Sequence, residues 1–229
     1  YVPPGTFTMG YDSGYTREGP EHQAVVERGF FLGKHEMTWG LYRQFCAATG
    51  RTTPSPFGEN TAFSTVAPFR IDGDEFPVIN VRFADAKAYC DWAGLRLPTE
   101  REWELAARGT DARRYPWGDS AHEVRANLGL YEDDPAPSDP RDGSDGFLNT
   151  APVGSFQKGA SPYGCLDMCG NVWEYVSTPW TDRHGPAVAG ETRRCVRGGS
   201  YVDSAAHARV TIRLPSGGAA GWHVSFRVA

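Results

Sequence analysis

Asp167-Met168-Cys169-Gly170-Asn171-Val172-Trp173-Glu174-Tyr175 is the stretch on which the reading of the fold turns. A Gly-Asn turn leads straight into a short β-like run over residues 172–176. The same pattern recurs along the chain. Residues 6–9, 30–32, 77–80, 195–196 and 225–228 are further short β-like runs, separated by irregular stretches as long as 51–73 and 120–150. Composition agrees with this: 27 Gly and 17 Pro imply many turns, and 12 Phe, 7 Trp and 10 Tyr must supply much of the core.

Three segments read as helices. Thr38 caps 39–48, with Leu41, Tyr42, Phe45 and Cys46 on one face and Gly50 after it. Residues 83–93 place Ala86, Tyr89, Cys90 and Ala93 at helical spacing before Gly94. Thr99-Glu100-Arg101-Glu102 is a capping-box pattern opening a helix through Trp103, Leu105, Ala106 and Ala107 to Gly109. With no internal repeat and no linker, the 229 residues read as one α+β domain.

Several function classes fall away. Hydrophobic residues at 40% and charged residues at 22% exclude a disordered chain. No apolar run reaches the roughly 20 residues of a membrane span. A net charge of −5 argues against general nucleic-acid binding. The chain opens at Tyr1, with no Met and no charged-then-apolar leader, directly on a motif, so a longer parent is expected. Five Cys leave at least one free thiol in a monomer and give no disulfide framework. Cys46 and Cys90 lie on apolar helix faces, Cys165 and Cys169 lack the C-x₂-C spacing of a zinc knuckle, and Cys195 is expected to be the most redox-active of the five. No phosphate loop, G-x-G-x-x-G or nucleophile elbow occurs.

Read in order, the landmarks are Pro3-Pro4-Gly5-Thr6-Phe7-Thr8-Met9-Gly10, Glu36-Met37-Thr38, Phe76-Pro77-Val78-Ile79-Asn80-Val81, Leu95-Arg96-Leu97-Pro98-Thr99-Glu100-Arg101-Glu102-Trp103-Glu104 and Tyr115-Pro116-Trp117-Gly118. They continue through Thr150-Ala151-Pro152-Val153-Gly154-Ser155-Phe156, the opening stretch, Val196-Arg197-Gly198-Gly199-Ser200 and Phe226-Arg227. This series resembles the formylglycine-generating-enzyme, or sulfatase-modifying-factor, family across residues 1–229. The resemblance implies a C-type-lectin-like core with few helices, short strands and long loops.

In family members that make formylglycine, two cysteines hold copper at the third and eighth residues after the Ser of Arg-Gly-Gly-Ser. Here those positions are Asp203 and Ala208. Cu(I) prefers sulfur ligands, so no catalytic residue and no copper are expected. The family's sulfoxide-synthase branch uses iron held by three His of a separate helical domain, and the six His of this chain show no metal spacing such as H-x₃-H. The resemblance also implies two structural Ca²⁺ sites. One would use the side chains of Asn127 and Asp145 with the carbonyls of Leu128 and Phe147. The other would use the side chains of Asp167 and Glu174 with the carbonyls of Gly170 and Val172. Oxygen ligands of this kind suit Ca²⁺; the residues alone favour turn hydrogen bonds by Asp145 and Asp167, and it is the resemblance that implies calcium.

Residues 201–225 contain no Lys, Glu, Asn or Gln, and in the family this stretch faces ligand. It resembles the segment of diversity-generating-retroelement variable proteins, in which rewritten adenine codons yield mixtures of Tyr, Asp, Ser, Ala, His, Val, Thr, Ile and Gly. Ser225 stands where the family usually has Gly. An ordinary member with a small-residue surface is the other reading. Tyr201, Asp203, His207, Thr211, Trp222 and His223 are the candidate ligand contacts, with Arg209 and Arg213 expected to hold the fold. The expected function is recognition of a protein or small-molecule ligand. The rivals are a metal- and oxygen-dependent oxidoreductase or its accessory domain, and a sensor domain of a longer chain.

Overall fold

Three α-helices form among the described residues, two of them opened by a side-chain cap. In a computed structural model of the protein, which describes residues 1–56, 71–121, 124–129, 143–186, 188–217, 220–221 and 223–229, α1 spans Trp39–Thr49, α2 Phe83–Ala93 and α3 Glu100–Arg108. The Thr38 side chain accepts a hydrogen bond from the Leu41 N–H, and Gly50 closes α1 in the left-handed region at φ 67°. At α3, Thr99 and Glu102 exchange the two bonds of a capping box. The buried face of α1 is Trp39, Tyr42, Phe45 and Cys46; Leu41, expected there, is 47% exposed. The face packs on Ala86, Tyr89 and Cys90 of α2 and on Val172, Trp173, Tyr175, Val196 and Phe226, in one core cluster. Aromatic edges meet there, as in Tyr42–Phe45 at 5.4 Å and Tyr89–Phe226 at 5.6 Å.

The described residues form two sheets. Strands β1 (Gly5–Met9) and β2 (His22–Val26) form an antiparallel pair from Gly5↔Val26 to Met9↔His22. The other sheet has the order β5 (Arg213–Ser216), β4 (Arg194–Arg197), β3 (Trp173–Pro179), β6 (Val224–Phe226), antiparallel except for β3 against β6. The expected runs at 30–32 and 77–80 are only single bridges, Val2↔Phe30 and Thr38↔Pro77. Strands β2 and β5 had not been expected. Of the long stretches at 51–73 and 120–150, residues 57–70, 122–123 and 130–142 lie outside the described residues. No helix among the described residues is long and apolar enough to cross a membrane.

A buried charge network joins α3 to the second sheet. Glu100 accepts from Arg197 at 2.7 Å and from Arg213 at 2.7 and 2.8 Å. Glu104 pairs with Arg197 at 2.5 Å and Arg108 at 3.1 Å. Glu174 takes Arg227 through two bonds of 2.6 Å and the Trp103 indole N–H at 2.8 Å. Arg197, Arg213 and Arg227 are among the largest fully buried side chains. Such networks contribute little net stability but cost several kcal/mol when one partner is lost, so they fix where the chain between β4 and β5 must run.

Candidate functional site

That chain, residues 198–212, builds the site. Gly198 and Gly199 take φ values of 98° and 76°, and a Cβ on Gly199 would sit 2.8 Å from the Ala208 Cβ. Only glycine fits there, and its absent side chain lets a one-turn helix, Ala205–His207, fold back over the Gly-Gly-Ser turn. Asp203 is the hub. Its Oδ2 accepts from the Ser200 N–H at 2.9 Å, the Ser200 hydroxyl at 2.6 Å and the Trp173 indole N–H at 2.9 Å. Ala208 is fully buried, in a cluster with Tyr115, Leu128, Cys169 and Ala205.

Two imidazoles stand around Asp203. His207 Nδ1 lies 3.1 Å from the Ser204 hydroxyl and Nε2 lies 3.0 Å from the Tyr15 hydroxyl, with its ring stacked on Tyr15 at 5.2 Å. Burial lowers the pKa of both His207 and His223, and the Asp203 charge opposes it at each; Arg17 and Arg209 add to the lowering at His207. Both rings are therefore mainly neutral at pH 7, each with one donor and one acceptor nitrogen, those of His207 being taken by the Ser204 and Tyr15 hydroxyls.

The other expected contacts are placed differently. Tyr201 is buried, which pushes its phenol pKa up. Thr211 is buried and donates its hydroxyl to Glu18. Trp222 lies outside the described residues. Arg209 and Arg213 do hold the fold, through Glu18 at 2.7 Å and through Glu100. Sequence reasoning missed Tyr15, Arg17 and Glu18, which belong to no motif and reach the site from about 190 residues away. Cys195, expected to be redox-active, is fully buried and donates its thiol to Glu100 Oε1 at 3.0 Å. Burial, with Glu100 adding, holds that thiol well above its ordinary pKa, the opposite of a reactive thiolate.

The positions expected to take calcium fall in two places, the first partly buried at Asp145 and Phe147 and the second buried at Asp167 and Glu174. Asp145 accepts from the Leu128 N–H at 3.0 Å and the Phe147 N–H at 2.9 Å, drawing those loops together. Asn127 donates through Nδ2 to the Asn149 carbonyl at 2.8 Å and to Asn171 Oδ1 at 3.0 Å. Both partners are acceptors, so the amide orientation is fixed and Oδ1 is left buried with no partner among the described residues. At the second place three buried carboxylates, Glu36, Asp167 and Glu174, share one guanidinium, Arg227. Burial, then Asp167 and Glu174, raises Glu36 well above the carboxylate range; burial, with Glu174 adding, brings Asp167 to about 6. Among the described residues, no three His, Cys, Asp or Glu side chains converge as a metal cluster. A cation here would rely on amide and carbonyl oxygens with few carboxylates.

Comparison with known proteins follows the same lines. All of residues 1–229 match the sulfatase-modifying factor enzyme 1-like domain. The chain is 31% identical over 248 residues to the formylglycine-generating enzyme of Mus musculus, a match covering 88% of this chain and 65% of that protein. It is 41% identical over 146 residues to the inactive Cα-formylglycine-generating enzyme 2 of Bos taurus, covering 61% and 45%. The matches thus span less than two thirds of either relative. PvdO from Pseudomonas aeruginosa superposes with a TM-score of 0.81 at 26% identity, over 99% of this chain and 91% of that one. Variable protein 1 of Treponema denticola does so at 0.72 and 20% identity, over 99% and 92%, which is a likeness of fold.

Proposed function

The chain belongs to the sulfatase-modifying factor enzyme 1-like family, and from that membership we propose that it is a non-catalytic recognition domain. In this reading residues 1–229 form one unit, the 201–225 segment is its binding face for a protein or small-molecule ligand, and calcium braces its loops. The observation that carries the reading is what occupies the third and eighth positions after Ser200. A copper site there needs two thiolates. Asp203 instead offers a hard oxygen already engaged by three donors, and Ala208 offers a packed methyl group. The 41% identical bovine relative carries the name of an inactive enzyme, which agrees with this reading.

Asp203, His207 and His223 form the polar centre of the face. The residue types of 201–225 are also those that adenine-directed rewriting produces, and the fold is shared with a variable protein. Ser225 fits the same view: its hydroxyl is buried in β6 without a partner among the described residues. We therefore extend the proposal to a variable protein of a diversity-generating retroelement.

Oxygen uptake with added copper or iron and a cysteine-bearing peptide tests the non-catalytic reading. The expected rate is that of the protein-free control; turnover would replace the reading with a metal- and oxygen-dependent oxidoreductase. A near-copy of the codons for 195–229, differing at adenines beside a reverse-transcriptase gene, supports the diversified face; its absence removes that extension.

For calcium, Asn127, Leu128, Asp145 and Phe147 would hold one ion, and Asp167, Gly170, Val172 and Glu174 a second. The orphaned Asn127 Oδ1 at the first place, and Asp167 and Glu174 sharing the single guanidinium of Arg227 at the second, support these assignments. Calcium supplies positive charge and loop cross-links there. An ion at 100 times its Kd stabilises by about 2.7 kcal/mol, so a chelator is expected to lower the melting temperature. Asn127→Ala should abolish part of that response; a melting temperature indifferent to calcium would rule the sites out.

A further inference from the structure

A cleft of about 410 Å³ opens beside the recognition face, lined by Tyr15, Thr16, Arg17, Trp180, Asp182, Arg193 and Pro215. Its size lies within the roughly 300–1,000 Å³ of small-ligand sites. Tyr15, Trp180 and Pro215 give it rigid apolar walls. Trp180 is held in place, its indole N–H on Asp182 at 3.0 Å and the Arg213 guanidinium 4.7 Å from its ring centre.

The charges lining the cleft are unequally satisfied. Arg193 is closed on Glu191 by bonds of 2.6 and 2.9 Å. Arg17 has neither an ion pair nor a hydrogen bond among the described residues; it lies 4.8 Å from the Tyr15 ring centre, and its Nε is buried with no partner. An unpaired guanidinium held against an aromatic ring is a fork for a planar anion. Asp182, one oxygen occupied by Trp180, sets a limit, because its charge repels a multiply charged anion such as a phosphate dianion.

We propose that this cleft is a binding site for a monocarboxylate with a flat apolar body, its carboxylate on Arg17 and its ring between Tyr15, Trp180 and Pro215. Apart from Pro215 the site is built outside the 201–225 segment and goes beyond that face, and Tyr15 joins the two by carrying Arg17 against its ring and His207 on its hydroxyl.

That junction supplies a readout. His207 is surrounded by Arg17 and Arg209, which lower its pKa, and by Asp203 and Glu18, which raise it. A carboxylate neutralising Arg17 removes one lowering charge, so the His207 midpoint rises when the cleft fills.

The test is an NMR titration of the full chain with benzoate, with benzamide as its neutral counterpart, following the Trp180 indole N–H and the His207 ring. Benzoate is expected to shift both signals and raise the His207 midpoint, with benzamide at least tenfold weaker. Arg17→Gln should weaken benzoate at least tenfold. Asp182→Asn, which keeps an acceptor for Trp180, should tighten it several-fold and serves if the first variant folds poorly. Equal binding of benzoate and benzamide, or benzoate affinity unchanged in both variants, overturns the proposal. The blocked dipeptide Ac-Asp-Phe-NH₂ separates the sources: tighter binding than benzoate assigns the site to an acidic peptide side chain, weaker binding to a free small acid.

Discussion

Asp203 concentrates three roles in one side chain: it closes the Gly-Gly-Ser turn, it receives the Trp173 indole, and it sets the charge felt by His207 and His223. Asp203→Ala would leave the Ser200 N–H and the Trp173 indole N–H without an acceptor, at a cost of about 1–3 kcal/mol for each donor that stays buried. The sign for the imidazoles is separate and opposite to a general loosening. Losing a nearby anion makes the charged imidazole less favourable, so both His midpoints should move further down, whereas unfolding would return them to 6.5. Urea melts and an NMR pH titration read the two effects, and midpoints that rise in the folded variant would contradict this account. Counting from the Gly-Gly-Ser motif finds Asp203 and Ala208 in the sequence. It cannot find Tyr15 or Glu18, whose contacts with His207 and Thr211 cross about 190 residues without any shared pattern.

Among the elements, helices were legible and strands only partly so, because helix boundaries are written in local chemistry. Thr38, Thr99, Glu102, Gly50 and Gly94 mark helix ends by bonds made within a few residues. Strand β5 hides behind Pro215, which argues against a strand but is tolerated here because β5 is the sheet edge. It hides also behind Arg213, a cation turned inward toward Glu100. In β2, Val25 is 47% exposed, so the alternation of apolar and polar residues is broken. Strand β6 was found, yet it carries a defect that no pattern reveals. Ser225, paired with Glu174 across the parallel ladder, is fully buried and its hydroxyl has no partner among the described residues. An unsatisfied buried hydroxyl costs about 1–3 kcal/mol, so Ser225→Ala, which keeps the Cβ and removes the oxygen, should stabilise the protein by about 1 kcal/mol. Thermal or urea unfolding checks it, and a loss of stability would mean that the hydroxyl is bonded in solution.

At the scale of the whole molecule, the buried charges make folding sensitive to acid. Burial alone would raise the Glu100 pKa, but the guanidiniums of Arg197 and Arg213 outweigh it and hold it at about 2. Against an unfolded value of 4.5, this depressed carboxyl contributes about 3 kcal/mol that is fully present above pH 4.5 and lost as the pH falls toward 2. His184 lies next to the same network. Burial, with Arg213 adding and Glu100 opposing, lowers it to about 4 from 6.5, so the folded state binds fewer protons than the unfolded one across that interval. Its contribution is therefore present above pH 6.5 and declines as the pH falls through 4. Asp167, raised to about 6, and Glu36 act the other way, taking up protons on folding as acid is added. Comparing wild type with His184→Asn at each pH cancels these carboxyls and isolates the histidine. The stability difference between the two proteins is expected to be constant above pH 6.5 and to shift in favour of His184→Asn between pH 6.5 and 4, since the variant has no imidazole to charge. A difference that stays flat over that window would place His184 in water, and the acid sensitivity would then rest on Glu100 and begin only below pH 4.5.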